Sequence, residues 1–348
     1  MKKIISMFLC ILCLLITGCE GKPEILETKS EEKEDRIEIG MSFDSFVIER
    51  WQRDRDVFVS TAKELGAVVN VQNANGDIDK QIEQIEYFIQ KGVDVIVIVC
   101  IDSESLKSVV EKAKDADIKI IAYDRLVTNS NADLYITFDN EMVGKLMAES
   151  IVGQIGPQKS VLMLGGSPTD NNVPLVENGF KEICAQNDIT ILDSMHCDGW
   201  RAELAADYIH EHGENVEMAD AIMCGNDNLA GQVIMALSEK RLAGEMPVVG
   251  QDADLEACQR IVEGTQTMTV YKPVEKLAKR AAECAISMAM GEKLEGDDVV
   301  TMNDGTYEIP YIGLTPVAVN AKNMNEVVIN GGFHLKEDVY LNVPGEMP

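Results

Sequence analysis

The segment Val93-Asp94-Val95-Ile96-Val97-Ile98-Val99 is a short run of β-branched residues interrupted only by one aspartate. Such a run is typical of a strand that is buried on both faces of a parallel sheet. A helical stretch at about 103–116 follows it and leads to a second run, Ile118-Lys119-Ile120-Ile121-Ala122. A strand, a helix and a strand in succession predict a βαβ unit, so this part of the chain is expected to form a parallel sheet.

The same alternation extends in both directions along the chain. Before residue 93 it comprises a strand at 37–41, a helix at about 49–65, a strand at 68–71 and a helix at about 78–91. It starts again further on, with strand-like runs at 160–164, 189–192, 221–224 and 247–250. Two doubly wound α/β lobes with parallel sheets are therefore predicted.

The lobes are expected to be interleaved along the chain. The N-terminal lobe is predicted to take residues 37–141 plus 273–302, and the C-terminal lobe residues 142–272 plus 303–348. The chain would then cross between the lobes near Asn140, Lys272 and Asn303, and these three crossings would form a hinge.

The first residues have the features of an export signal. Lys2 and Lys3 precede an apolar run at 4–16, which is short for a membrane span, and the run leads to Thr17-Gly18-Cys19. This ending resembles the bacterial lipobox, so 1–18 is predicted to be a lipoprotein signal peptide and Cys19 the lipid anchor. An uncleaved transmembrane anchor is the alternative. The acidic, apolar-poor stretch 19–36 is predicted to be a tether, and membrane contact is expected only through the anchor.

The composition excludes some classes of function. The chain has 348 residues, with 31 Lys and Arg against 59 Asp and Glu, and a net charge of −28. Nucleic-acid binding depends on clustered basic residues, and no basic stripe is present, so no nucleic-acid partner is expected. With 46% hydrophobic and 26% charged residues, the chain has the composition of a folded protein.

The cysteines and histidines give no reason to predict a metal or a cofactor. Three of the nine cysteines lie within residues 1–19, and the other six, at 100, 184, 197, 224, 258 and 284, are too far apart for a metal-binding motif. They are interpreted as small core residues, with a disulfide as the open alternative.

Polar residues follow nearly every predicted strand. Ligands of open parallel sheets bind beyond the carboxyl ends of the strands, where these residues would gather. They include carboxylates, amides and the only two tryptophans of the chain, and they lie in the segments 43–51, 123–125, 165–172, 198–200, 225–228 and 250–254. Such groups can bind the hydroxyls and the flat C–H faces of a small sugar, with one indole from each lobe. The guanidinium groups of Arg50 and Arg125 can hold adjacent hydroxyls while they pair with carboxylates.

At these residues the chain resembles the D-xylose-binding proteins of bacterial ABC sugar importers, which belong to the periplasmic binding protein group. The resemblance covers about 37–334. The most specific segments are 49–56 (ERWQRDRD), 122–125 (AYDR), 165–172 (GGSPTDNN), 198–200 (DGW), 250–254 (GQDAD) and 264–273 (GTQTMTVYKP).

The resemblance implies a set of ligand-binding residues. Trp51 and Trp200 would stack on the two faces of the sugar. The residues that would donate or accept hydrogen bonds are Arg50, Asp124, Arg125, Asp170, Asn172, Asn226, Asp252 and Lys272.

Some of these residues also have a structural interpretation. Asp124 and Asp252 fit helix caps or turns, and Trp51 fits a core residue. The run 53–56 is interpreted as a solvated helix face with local charge pairs.

The predicted function is capture of a monosaccharide, D-xylose by resemblance, through closure of the two lobes of a monomer, followed by delivery to an ABC permease. A signalling lipoprotein that contacts a membrane sensor kinase is the main alternative. A glycosidase with Asp124 and Asp252 as acid and base is disfavoured, since neighbouring Arg and Lys side chains would keep those carboxylates ionised.

Overall fold

The apolar runs form strands in the computed structural model, which describes residues 36–348. The predicted signal peptide, the anchor Cys19 and the tether up to residue 35 lie outside the described residues. From Arg36 to Pro348, no helix is both long and apolar enough to cross a membrane.

Within residues 36–348 the structure has thirteen strands and eleven α-helices, apart from short helical turns. The strands are β1 (Glu38–Phe43), β2 (Val68–Asn73), β3 (Val95–Ile98), β4 (Lys119–Tyr123), β5 (Leu134–Phe138), β6 (Ser160–Gly165), β7 (Thr190–His196), β8 (Ala221–Cys224), β9 (Val248–Gln251), β10 (Met268–Tyr271), β11 (Val300–Asn303), β12 (Glu308–Leu314) and β13 (Val317–Val319). The helices are α1 (Arg50–Glu64), α2 (Ile78–Lys91), α3 (Lys107–Asp115), α4 (Asn140–Ile155), α5 (Asn172–Gln186), α6 (Glu203–Glu211), α7 (Gly213–Met218), α8 (Asp227–Glu239), α9 (Leu255–Glu263), α10 (Val274–Ala289) and α11 (Lys336–Val339).

The strands form two sheets of the same topology. In the first, the parallel strands have the order β2-β1-β3-β4-β5, and in the second the order β7-β6-β8-β9-β10. Both orders correspond to the doubly wound 2-1-3-4-5 arrangement, which places a crevice beyond the carboxyl ends of the strands. The predicted fold class is confirmed.

Each parallel sheet is extended at one edge by later strands. β12 pairs with β5 in parallel and β11 pairs with β12 antiparallel, whereas β13 pairs with β10 antiparallel. These additions show where the chain passes between the sheets. It crosses between β5 and α4, then between β10 and α10, and finally between β12 and β13.

The third crossing therefore differs from the prediction. It was predicted near Asn303, with 303–348 in the C-terminal lobe. The structure places it after Leu314, because β11 and β12 form a hairpin that extends the first sheet. The hairpin joins that sheet through the backbone pairing of β12 with β5, a long-range contact that the local sequence pattern does not report.

The cores lie between the sheets and their helices. In the first lobe α1 and α10 cover one face of the sheet, where Met41, Val97 and Ile121 are fully buried. All six cysteines between residues 36 and 348 are buried and unpaired. Their interpretation as small core residues is confirmed.

Candidate functional site

The carboxyl ends of both sheets face a common cavity. Nine of the ten residues predicted to contact a ligand line it, together with two that were not predicted. The lining residues are Ile48, Arg50, Trp51, Asp124, Arg125, Asp170, Asn172, Trp200, Gln251, Asp252 and Lys272. Residues from six strand ends are thus brought together, as the topology predicts.

Arg50 lines the cavity from the first lobe. It begins α1 just beyond β1, and its Nη1 donates to Asp124 Oδ2 at 2.8 Å. Its Nε and Nη2 donate to the two carboxylate oxygens of Asp54, each at 3.1 Å. Asp54 is fully buried and also accepts a hydrogen bond from the hydroxyl of Tyr123. The guanidinium is thereby held in one orientation, a role for Asp54 that the prediction of a solvated face at 53–56 missed.

Arg125 joins the two lobes. Its Nη1 donates to Asp44 Oδ2 at 2.8 Å within the first lobe, and its Nε lies 2.6 Å from Asp170 Oδ2 of the second lobe. All three side chains are buried. Nη2 of Arg125 is also buried, and it has no hydrogen-bond partner among the described residues.

Asp124 and Asp252 occupy equivalent places in the two lobes. Each follows the fourth strand of its parallel sheet, has a left-handed backbone (φ of 63° and 99°) and donates its backbone N–H to the next strand at 2.8 Å. Each carboxylate pairs with a cation, Asp124 with Arg50, and Asp252 with Lys272 at 3.2 Å. The side chains therefore point to the cavity instead of capping helices. Positive φ at non-glycine residues costs free energy and concentrates at functional sites.

The two indoles pack against different parts of the structure. Trp51 belongs to the first core and also lines the cavity, with the Arg50 guanidinium 4.5 Å from its ring centre. Its interpretation as a core residue is confirmed, and its contact with a ligand stays a prediction. Trp200 packs against Gly166, where an added Cβ would lie 2.2 Å from the ring. Only glycine permits this contact. The Nε1 atoms of both indoles are buried without a partner in the described part of the chain.

The charges around the cavity balance. Arg50, Arg125 and Lys272 supply three positive charges, and Asp124, Asp170 and Asp252 three negative ones. Burying a charge is costly unless it is paired, and each of these six has an opposite charge within 3.2 Å. A cavity with paired charges and unpaired hydrogen-bonding atoms suits a neutral, polar ligand.

The ionisation of the carboxylates differs within the site. Burial alone would raise the pKa of Asp124, but the nearby charges of Arg50, Lys272 and Arg125 outweigh it and lower that pKa. For Asp170, burial outweighs Arg125 and the pKa is raised. The neighbouring cations therefore favour the ionised form of Asp124, as expected, whereas the burial of Asp170 opposes the effect of Arg125 on that carboxylate.

Direct contacts close the cleft. Besides the Arg125–Asp170 pair, several of them involve the loop between β6 and α5 and the first residue of α5. They run from Leu126 N to Asn171 Oδ1 (2.7 Å), from Ser103 N to Thr169 O (3.1 Å) and from Tyr135 Oη to Asn172 Oδ1 (3.2 Å). Asn172 also donates through Nδ2 to the backbone oxygen of Asp124 at 3.1 Å. The two lobes are thus in contact around the cavity.

Asn226 is the predicted residue that the cavity lining lacks. It is buried at the end of β8, and its Oδ1 accepts a hydrogen bond from Leu229 N at 2.9 Å. This contact caps α8. Two residues that line the cavity, Ile48 and Gln251, were not predicted. Gln251 lies in the segment GQDAD, where its position at a strand end was the available signal.

Two interleaved parallel-sheet lobes that enclose a polar cavity between them have the architecture of a two-lobe binding protein. A family model described as a periplasmic binding protein domain matches residues 39–293, and the chain belongs to this family.

Several known proteins are similar over most of the chain. The D-xylose-binding periplasmic protein of Haemophilus influenzae is 44% identical, over 87% of this chain and 92% of its own length. The protein of the same name from Escherichia coli is 41% identical, over 94% of this chain and 98% of its own length. The predicted resemblance to D-xylose-binding proteins is thereby confirmed.

A solved structure shows the same fold. The ABC transporter solute-binding protein of Clostridium phytofermentans, with bound β-D-glucose, has a TM-score of 0.79 and 26% identity, and the match covers 87% of this chain and 99% of that one.

Proposed function

We propose that this protein is an exported, lipid-anchored solute-binding protein that captures D-xylose between its lobes and delivers it to an ABC permease. Binding requires no covalent chemistry and no cofactor. The protein acts as a monomer whose ligand shifts the population of lobe arrangements toward closure.

The observation that carries the proposal is the set of unpaired polar atoms around a charge-balanced cavity. Trp51 Nε1, Arg125 Nη2, Trp200 Nε1 and Gln251 Oε1 are buried and lack hydrogen-bond partners among residues 36–348. An unpaired buried polar atom costs about 1–3 kcal/mol. The hydroxyls of a monosaccharide both donate and accept, so they can satisfy such atoms, while the two indoles cover its C–H faces.

The comparisons support the choice of sugar. Two relatives above 40% identity are D-xylose-binding proteins, whereas a more distant structural neighbour holds β-D-glucose. D-xylose is therefore the first ligand to test and D-glucose the main competitor.

Calorimetry with purified protein tests the proposal. D-xylose is expected to bind, and Trp200→Ala or Asp252→Ala is expected to weaken binding about 10-fold to 100-fold, since each removes a group that lines the cavity. Glu256→Ala, which removes an 84% exposed carboxylate from the helix after Asp252, serves as the control with unchanged affinity. Heat with D-glucose or D-ribose and none with D-xylose would refute the assigned sugar.

The anchor and the partner need separate experiments. Cys19→Ser is expected to release the protein from the membrane fraction, because the thiol would carry the lipid. Capture of membrane proteins with and without D-xylose distinguishes the partners. Recovery of a permease supports delivery for import, and recovery of a histidine kinase instead supports the signalling alternative.

A further inference from the structure

Gln251 is a buried amide whose two ends have different environments. It is the last residue of β9 and is 5% exposed. Its Nε2 donates to the backbone oxygen of Gly225, whereas its Oε1 is buried without a hydrogen-bond partner in the described chain. One half of the side chain is thus anchored and the other half is available.

The orientation of the amide follows from this anchor. A backbone carbonyl only accepts hydrogen bonds, so the NH₂ end must face Gly225 and the oxygen must face the other way. Gly225 is itself held closely, since a Cβ at this position would lie 2.7 Å from Gly166 N. Reversing the amide would place two oxygens against each other, which makes Oε1 a fixed acceptor.

Gln251 lies at the boundary of two spaces. Gln251 lines the ligand cavity, and it also lines a second cavity that Trp200, Val176 and Met223 line as well. Apolar side chains and glycine backbone dominate the second cavity. Hydroxyls of a sugar belong on the polar side, so the donor for Oε1 is expected from the ligand cavity.

We propose that Gln251 is a specificity-determining residue, whose Oε1 accepts a hydrogen bond from one hydroxyl of the bound sugar. This inference rests on the proposed function and adds a contact to it. A sugar that lacks the hydroxyl leaves the acceptor unpaired, and a site built to bind a hydroxyl discriminates strongly against such an analogue.

The experiment is a cycle between protein and ligand variants. Wild type, Gln251→Met and Gln251→Leu are titrated by calorimetry with D-xylose and with its analogues that each lack one hydroxyl. The wild type is expected to bind one analogue about 10-fold to 100-fold more weakly because of this contact. Both variants lack the acceptor, so they are expected to bind D-xylose more weakly by a similar factor. In both variants that one analogue is expected to bind as tightly as D-xylose, whereas the other analogues keep the loss of affinity that they show with the wild type.

A matched control separates ligand recognition from support of the fold. Gln81 is also a fully buried glutamine, but both ends of its amide are paired, with Nε2 donating to Val99 O at 2.9 Å and Oε1 accepting from Ile101 N at 3.0 Å. Gln81→Met is expected to leave the penalties for all analogues as they are in the wild type.

The outcomes are distinguishable. If the Gln251 variants weaken every sugar by one common factor, the residue only supports Gly225 and the inference is wrong. Unchanged affinities in folded variants would also overturn it. If the wild type binds none of these sugars, the proposed function fails, and the assignment of Gln251 fails with it.

Discussion

Gly166→Ala tests whether the position of the Trp200 indole controls ligand binding. The added Cβ would lie 2.2 Å from Cη2 and 2.4 Å from Cζ2 and Cζ3 of the ring, whereas ordinary carbon contacts begin near 3.4 Å. The ring must therefore retreat by roughly 1 Å. Its backbone cannot follow easily, because Gly199 and Trp200 both have left-handed φ (62° and 58°) and Trp200 N donates to Cys197 O at 2.9 Å.

The expected cost follows from this geometry. Overpacking by one methyl group costs about 1–3 kcal/mol. Moving the indole from its place on the cavity wall relieves the strain, so the cost appears as lost affinity, about 10-fold to 100-fold. Calorimetry with D-xylose measures it, and fluorescence reports displacement of the ring, since the chain has only two tryptophans.

Two controls make the test decisive. In a Trp200→Ala background the added methyl group meets no ring, so Gly166→Ala is expected to have little further effect. Gly153→Ala introduces the same methyl group within α4, where nothing lies within 4 Å of the new Cβ. It is expected to stabilise the helix by about 0.5–1 kcal/mol without changing affinity. Unchanged affinity in Gly166→Ala, or equal losses in both backgrounds, would refute the reasoning.

Three further predictions concern buried charges and thiols. Arg50→Met leaves the carboxylates of Asp54 and Asp124 without their shared cation, so the free energy of unfolding in urea is expected to fall by about 3–5 kcal/mol. Arg55→Met removes a partly exposed guanidinium that pairs with the exposed carboxylate of Asp56, and it should lower that free energy by much less. Burial raises the pKa of Asp227 to about 7, so between roughly pH 4 and 7 the folded state retains a proton that the unfolded state releases. Stability should therefore decrease as the pH rises through this window, and Asp227→Asn should make the dependence shallower; an equal slope in both proteins would contradict the assignment. The six thiols from Cys100 to Cys284 are expected to resist alkylation until the protein unfolds, and peptide mapping that finds any of them labelled in the native protein would show that it is accessible.

Local sequence patterns predicted most of the architecture. Continuous β-branched runs such as Val95–Ile98 report burial on both faces, which identifies parallel strands. The left-handed turns at Asp124 and Asp252 were less visible, since aspartate also caps helices. The strand β5 was absent from the predicted set of strands, although its pairing with β4 and β12 shows its importance in the fold.

The candidate site was likewise predicted only in part. Nine residues were predicted correctly as neighbours, because the carboxyl ends of parallel strands share one edge and the resemblance to a known family named the residue types. Asn226 was placed among the ligand-binding residues, but its Oδ1 caps α8. The roles of Asp54 and Gln251 were missed, because a helix-face pattern does not reveal a partner behind Arg50, and a lone glutamine does not reveal which end of its amide is paired.

The order of residues along the chain thus established two α/β lobes, their strand ends and the chemistry gathered there, since each of these depends on burial patterns within about twenty residues. Contacts between distant segments established the rest, namely the hairpin that moves the third crossing past Leu314, the Arg125–Asp170 pair between the lobes and the free oxygen of Gln251. Those features depend on which surfaces meet in three dimensions, and periodicity along one segment carries no information about the segment that it will face.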